Sequence, residues 1–73
     1  MRAATYQNLG AAFQEAGRLD EAAAAFDRAL SIDSGYAPAH QSLAMVLRQQ
    51  GKLDEAIRHL DEARRLRPDR RRA

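Results

Sequence analysis

Apolar and small residues recur along the chain at spacings of three and four, which is the period of an α-helix that buries one face. The first such stripe contains Tyr6, Leu9, Gly10 and Phe13. The apolar stripes predicted for three further helices are Ala22, Ala25, Phe26, Ala29 and Leu30; Leu43, Val46 and Leu47; and Ala56, Ile57, Leu60 and Ala63. The pattern predicts helices at residues 3–16, 19–32, 37–50 and 53–66.

The chain also repeats itself over a longer distance. The hexapeptide that begins at Gly17, GRLDEA, returns as GKLDEA at Gly51. Because a glycine takes the left-handed conformation without steric cost, each of these glycines is a natural helix end. A fixed period of 34 residues, the distance from Gly17 to Gly51, indicates stacked helix-turn-helix units that bury their apolar faces against each other. The predicted fold class is all-α, with two stacked antiparallel helix-turn-helix repeats at residues 3–36 and 37–70 and a basic tail at 71–73.

Small and aromatic residues occupy fixed places within the two units. They are Tyr6, Leu9, Gly10, Phe13, Gly17, Ala22, Phe26 and Ala29 in the first unit, and Leu43, Ala44, Leu47, Gly51, Ala56, Leu60, Ala63 and Pro68 in the second. This set resembles the tetratricopeptide repeat, a helix-turn-helix unit of about 34 residues. His40 departs from the family pattern because it stands in the tryptophan place of the second unit, and Ser34 departs because it replaces a closing proline.

The resemblance implies a binding surface. In this family the first helix of each unit lines a concave groove that holds an extended peptide or a partner helix. The corresponding residues here are Gln7, Asn8, Ala11, Gln14 and Glu15 in the first unit, and Gln41, Ser42, Met45, Arg48 and Gln49 in the second. Amides donate to and accept from a peptide backbone at once, and methionine adapts to varied apolar surfaces. The alternative is that these are ordinary solvated positions of a scaffold that binds elsewhere.

Composition limits the size of the core. The chain has 73 residues, and 45% of them are hydrophobic, but many of these are alanines and only 5% are aromatic. A chain this short buries little of its unfolded surface, so we expect a thin core and marginal stability as a monomer. Ile57 and Leu60 are expected to leave apolar surface exposed. An alternative function is therefore a self-assembling, homo-oligomeric structural module whose open repeat ends pair with each other.

The residue types that support chemistry are sparse. Without cysteine there is no disulfide and no thiolate metal site. His40 and His59 are too few for a metal site, and we expect His40 to be a partly buried packing residue and His59 to lie on a solvated face. No nucleophile has a base placed for it, and there is no glycine-rich phosphate loop. The sequence therefore predicts neither an enzyme nor a cofactor site.

Charge is concentrated at the C-terminal end, where residues 64–73 contain six arginines and one acid, Asp69. No aromatic residue is interleaved with these arginines, so stacking on nucleic-acid bases is not supported. No apolar stretch approaches the roughly 20 residues that span a membrane, and the N-terminus leads into a helix without a signal-peptide core. We therefore expect a cytoplasmic protein whose partner is a protein or peptide rather than nucleic acid or a membrane.

Overall fold

The computed structural model describes residues 2–66, and within this range it contains four helices and no strand. The helices are α1 Ala3–Glu15, α2 Leu19–Ile32, α3 Ala37–Gln49 and α4 Leu53–Leu66. Helix α1 packs on α2, α3 on α4, and α2 on α3, with a smaller contact between α1 and α3. The predicted all-α fold of stacked helix pairs is confirmed. Residues 67–73, which hold Pro68 and the predicted basic tail, lie outside the described residues.

The turns inside the two helix pairs have the same geometry. Gly17 has a φ angle of 79° and Gly51 one of 84°, both in the left-handed region. The amide after Gly17 donates to the carbonyl of Phe13 at 2.9 Å, and the amide after Gly51 donates to that of Leu47 at 2.8 Å. These bonds satisfy carbonyls that the helix end leaves without a partner. Each glycine therefore allows the chain to reverse over a short turn and sets its two helices antiparallel.

The turn between the two pairs is held by Asp33. Its Oδ1 accepts the amide of Gly35 at 3.1 Å, and its carbonyl accepts the amide of Tyr36 at 3.0 Å. An aspartate that binds its own backbone two residues on is a common way to fix a turn. Helix α3 then begins with Pro38 in its first turn, where the missing N–H costs nothing. The turn thereby fixes the place of α3 beside α2.

The core is built mainly of alanine around a few larger side chains. Phe26 and Val46 are the largest fully buried residues, and Leu43 and Leu47 pack beside them. The buried alanines are Ala3, Ala22, Ala25, Ala29, Ala37, Ala39, Ala44, Ala56 and Ala63. Alanine allows helices to approach closely but contributes little buried area, so most of the apolar burial rests on a handful of side chains.

The closest approach inside the first pair is between Gly10 and the ring of Phe26. A Cβ atom on Gly10 would lie 2.5, 2.7 and 2.8 Å from three carbons of that ring. At the corresponding places of the repeat, the second pair has Ala44 and Leu60. Leu60 is 38% exposed whereas Phe26 is fully buried. In the first pair, the absence of a side chain at Gly10 of α1 therefore leaves room for the ring of Phe26 on α2.

One predicted core residue is not buried. Leu9 is 45% exposed and lies in an open cleft of about 260 Å³ between α1 and α2, with Tyr6 and Phe13 beside it. Its spacing placed it correctly on the α1 stripe, but the stripe is wider than the area that α2 covers. Ile57, at 57% exposure, and Leu60 leave apolar surface on α4, as the sequence indicated.

Candidate functional site

The residues assigned to the groove all lie on α1 and α3, the first helices of the two pairs. Gln7, Gln14 and Ser42 are half-buried. The exposed members are Asn8, Ala11, Glu15, Gln41, Met45, Arg48 and Gln49. Met45 is 57% exposed, which makes it the largest apolar contribution of this set to the surface.

One hydrogen bond joins the two helices of this surface. Gln7 Nε2 donates to Ser42 Oγ at 2.8 Å, between residues 35 positions apart. The other end of the same amide, Gln7 Oε1, is buried and has no hydrogen-bond partner among residues 2–66. Such a buried acceptor costs about 1–3 kcal/mol. Gln7 therefore connects α1 to α3, and only one end of its amide is satisfied.

Gln41 is placed differently from the rest of the set. It lines a cavity of about 390 Å³ together with Leu60, Ala63 and Arg64 of α4. The structure therefore brings Gln7 and Ser42 together between the two pairs, whereas Gln41 faces the side of the second pair where α4 lies.

A further concavity lies between α2, α3 and α4, and no local sequence pattern predicted it because three helices contribute. Its volume is about 330 Å³. Leu43 and Leu47 contribute apolar surface, and one edge is held by Gln50, whose Nε2 donates to Asp20 Oδ1 at 2.7 Å. Its ionisable residues are Asp20, Asp27, Lys52, Glu55 and His59. This cleft is thus richer in carboxylates than in cations.

His40 and His59 form a bonded pair beside that cleft. His40 is 8% exposed, and its Nε2 lies 3.0 Å from the carbonyl oxygen of Ser34. Since a carbonyl only accepts, this Nε2 carries a proton, and the neutral ring must then offer Nδ1 as an acceptor. His59 Nδ1 lies 3.0 Å from His40 Nδ1 and donates to it. The partners, rather than observed hydrogens, assign these tautomers.

The expectation that His59 lies on a solvated face is wrong. The ring is half-buried and its centroid is 5.2 Å from that of His40, with an angle of 32° between the planes. Burial lowers the pKa of His59 below its ordinary value, and the neighbouring His40 lowers it further. Three carboxylates act in the opposite direction and raise it, namely Asp27, Glu55 and Glu62. The net effect favours the neutral imidazole, which is the form that the hydrogen bond to His40 uses.

The repeat itself contained a signal for this pair. The repeat offset, from Gly17 to Gly51, aligns His59 with Ala25, which is 5% exposed and lies on the predicted stripe of α2. His40 aligns in the same way with Tyr6, and Tyr6 and Ala25 line one cleft in the first pair. The alignment of His59 with a buried position predicts burial for it as well, whereas its polar side chain alone suggested solvent.

Two kinds of site, a metal site and a membrane-spanning helix, were also sought in the described part of the chain. Among residues 2–66 there is no group of three or more His, Cys, Asp or Glu side chains placed to hold a metal ion. None of the helices in that range has the length and apolar character needed to cross a membrane.

Comparison with known proteins assigns the family. No curated protein matches the chain. The sequence model of the family described as tetratricopeptide repeat matches residues 13–73, which is most of the chain. Together with the two stacked helix pairs and their matching glycine turns, this match shows that the chain belongs to the tetratricopeptide repeat family.

Proposed function

We propose that this chain is a non-enzymatic interaction module that binds an extended peptide or a partner helix on the surface formed by α1 and α3. The family is generally a protein–protein interaction module, which supports the class of function. The observation that carries the proposal is the Gln7–Ser42 hydrogen bond, because it places the first helices of both pairs side by side. This contact supports treating the exposed residues of α1 and α3 as one binding surface.

The chemistry of this surface favours contacts with a peptide backbone. Its exposed side chains include the amides of Asn8 and Gln49, the thioether of Met45 and the guanidinium of Arg48. Amides pair with backbone N–H and C=O groups whatever the partner's sequence, and Met45 supplies an adaptable apolar contact. Arg48 adds a preference for a carboxylate close to the residue that Met45 contacts.

A crosslinking experiment identifies the surface before the partner is known. A photoreactive amino acid is introduced at Met45 in one variant and at Ala24, an exposed position of α2, in another. The partner should be captured at position 45 and not at position 24. Capture at position 24 alone would move the binding site to the other side of the repeat.

The captured partner then allows a quantitative test by isothermal titration calorimetry. The triple variant Met45→Ala, Arg48→Ala, Gln49→Ala should bind at least about tenfold more weakly, since truncation at a binding surface costs on the order of 1 kcal/mol or more at its important residues. The matched control changes three exposed residues of α2 and α4, namely Ser31→Ala, Asp54→Ala and Asp61→Ala. Equal affinities for both triple variants would contradict the assignment.

A second candidate function is self-assembly through the open faces of the pairs. Leu53 and Ile57 are each 57% exposed on α4, and Leu60 is 38% exposed, so this helix presents apolar surface along its length. Light scattering at micromolar concentration tests it, and a monomer with a cooperative melt would contradict it.

The cytoplasmic location predicted from the sequence remains a prediction, and fractionation of cells that express the natural protein tests it.

A further inference from the structure

We propose that His40 and His59 form a pH-sensitive link that holds the second helix pair together at neutral pH and opens it in mild acid. The link does not depend on the proposed binding surface. It connects three elements: the turn between the pairs through the carbonyl of Ser34, helix α3 through His40, and helix α4 through His59.

The orientation of the two rings supports a shared proton. The two Nδ1 atoms are 3.0 Å apart, whereas the ring centroids are 5.2 Å apart. The two nitrogens therefore lie between the ring centres and point towards each other. A single hydrogen fits between nitrogens at this distance, and a second does not. The bond to Ser34 occupies the remaining nitrogen of His40, so that ring cannot exchange its tautomer without losing a partner.

Counting protons shows where the link fails. In the neutral pair His40 carries its proton on Nε2, and His59 donates from Nδ1. A first added proton goes to Nε2 of His59, which leaves both hydrogen bonds intact. A second added proton has only Nδ1 of His40 to bind, where the His59 N–H already points. Double protonation therefore places two donors and two positive charges against each other, and the rings must separate.

The charged groups around the pair do not remove this conflict. Helix α2 contributes Asp27 and α4 contributes Glu55 and Glu62, and all three favour a protonated His59. The positively charged Arg58 shares a cavity with both rings. Asp20 of α2 and Lys52, which precedes α4, line the adjoining cleft with His59. The carboxylates support one positive charge on the pair, but they do not make room for a second N–H between the two Nδ1 atoms.

The direction of the pH effect follows from linkage. The folded-state pKa of His59 lies below the ordinary value of 6.5, so below that pH the unfolded chain binds more protons than the folded chain. The share of stability that depends on a neutral His59 is therefore fully present above about pH 6.5 and is lost as the pH falls through its folded pKa. The two hydrogen bonds survive this first proton, and the rings separate only when a second proton is added. The first helix pair has Tyr6 and Ala25 at the matching places, so it contains no imidazole there.

Thermal unfolding followed by circular dichroism tests the link, at about pH 7.5 and about pH 5, in buffers that contain EDTA to exclude metal binding. The variant His59→Gln keeps a donor for His40 Nδ1 but does not titrate. The variant His40→Tyr, His59→Ala introduces the residues of the first pair. Between the two pH values the parent should lose at least about 4 °C more in Tm than either variant, which is the scale of one lost interaction in a domain of this size. An equal loss in the parent and in both variants would overturn the proposal.

A measurement on the parent protein alone keeps the proposal testable if the variants fold poorly. Nitrogen-15 NMR of the histidine rings should show His40 protonated on Nε2 at neutral pH. On acidification, amide hydrogen exchange should accelerate in α3 and α4 before α1 and α2. Two histidines that titrate independently, with exchange rates in α3 and α4 unchanged relative to those in α1 and α2, would overturn it.

Discussion

Replacing Gly10 by alanine sets two opposing effects against each other. Alanine in place of glycine inside a helix is favourable by about 1 kcal/mol, since glycine has more backbone freedom to lose. The new methyl group would lie 2.5–2.8 Å from three carbons of the Phe26 ring, which is closer than carbon atoms approach. Phe26 is fully buried, so its ring has no free space to enter.

The steric effect should exceed the helix propensity. Overpacking a core costs about 1–3 kcal/mol, and a clash with three ring atoms at once belongs at the upper end of that range. We therefore expect Gly10→Ala to lower the free energy of unfolding by about 1–2 kcal/mol, with a fall in Tm of about 4–8 °C for each kcal/mol. Urea unfolding and thermal melts followed by circular dichroism measure both quantities.

The second helix pair supplies the matched control, because Ala44 and Leu60 occupy the same two places there. Phe26→Leu alone should cost on the order of 1–2 kcal/mol through the cavity that it leaves. In the double variant Gly10→Ala, Phe26→Leu, the methyl group fills part of that cavity, so the loss should be smaller than the sum by about 1 kcal/mol. Gly10→Ala that is neutral or stabilising, or costs that simply add, would refute this account of the contact.

Two further predictions concern turns and charges. Gly17→Val and Gly51→Val should each cost about 1 kcal/mol or more through their positive φ angles alone, because a Cβ at either position would meet no other atom. Gly51→Val should lower Tm further, because the second pair has the smaller side chains His40, Leu47 and Leu60 where the first pair has Tyr6, Phe13 and Phe26. Equal melting curves for parent and both variants would show that these glycines do not determine the turns. Gln50→Glu should lower Tm by placing a carboxylate against Asp20, and Asp20→Asn should restore it. Loss of Tm that persists in that double variant would point to another cause.

The fold could be predicted from the sequence because its determinants are local. Helix limits depend on apolar spacing and on residues such as Gly17 and Gly51, and both signals occur within a few positions of the structure that they specify. The repeat adds the arrangement of the pairs, since two copies of one pattern can bury their faces only by stacking. Phe26 and Val46 are buried as their spacing indicated.

Contacts between helices were less accessible to this reasoning. Periodicity states which side of a helix faces inward but not how far the neighbouring helix extends, so the exposure of Leu9 was missed. The bond between Gln7 and Ser42 depends on the placement of α1 beside α3, which no local pattern encodes. The cleft between α2, α3 and α4 has the same origin, because residues from three helices meet there only after folding.

The two helix pairs differ at linked positions rather than at isolated ones, and this explains why one sequence pattern yields two kinds of stabilisation. Tyr6 and Ala25, which line one cleft in the first pair, are replaced together by His40 and His59, which bond to each other in the second. The tyrosine ring opposite an alanine methyl group is stabilised by apolar contact and involves no imidazole. Two imidazoles whose Nδ1 atoms are 3.0 Å apart are stabilised only while a single proton lies between those atoms. Both exchanged positions lie at the contact between the first and second helices of a pair. The geometry of the repeat is therefore kept in both units of this chain, while the pH dependence of their stability differs.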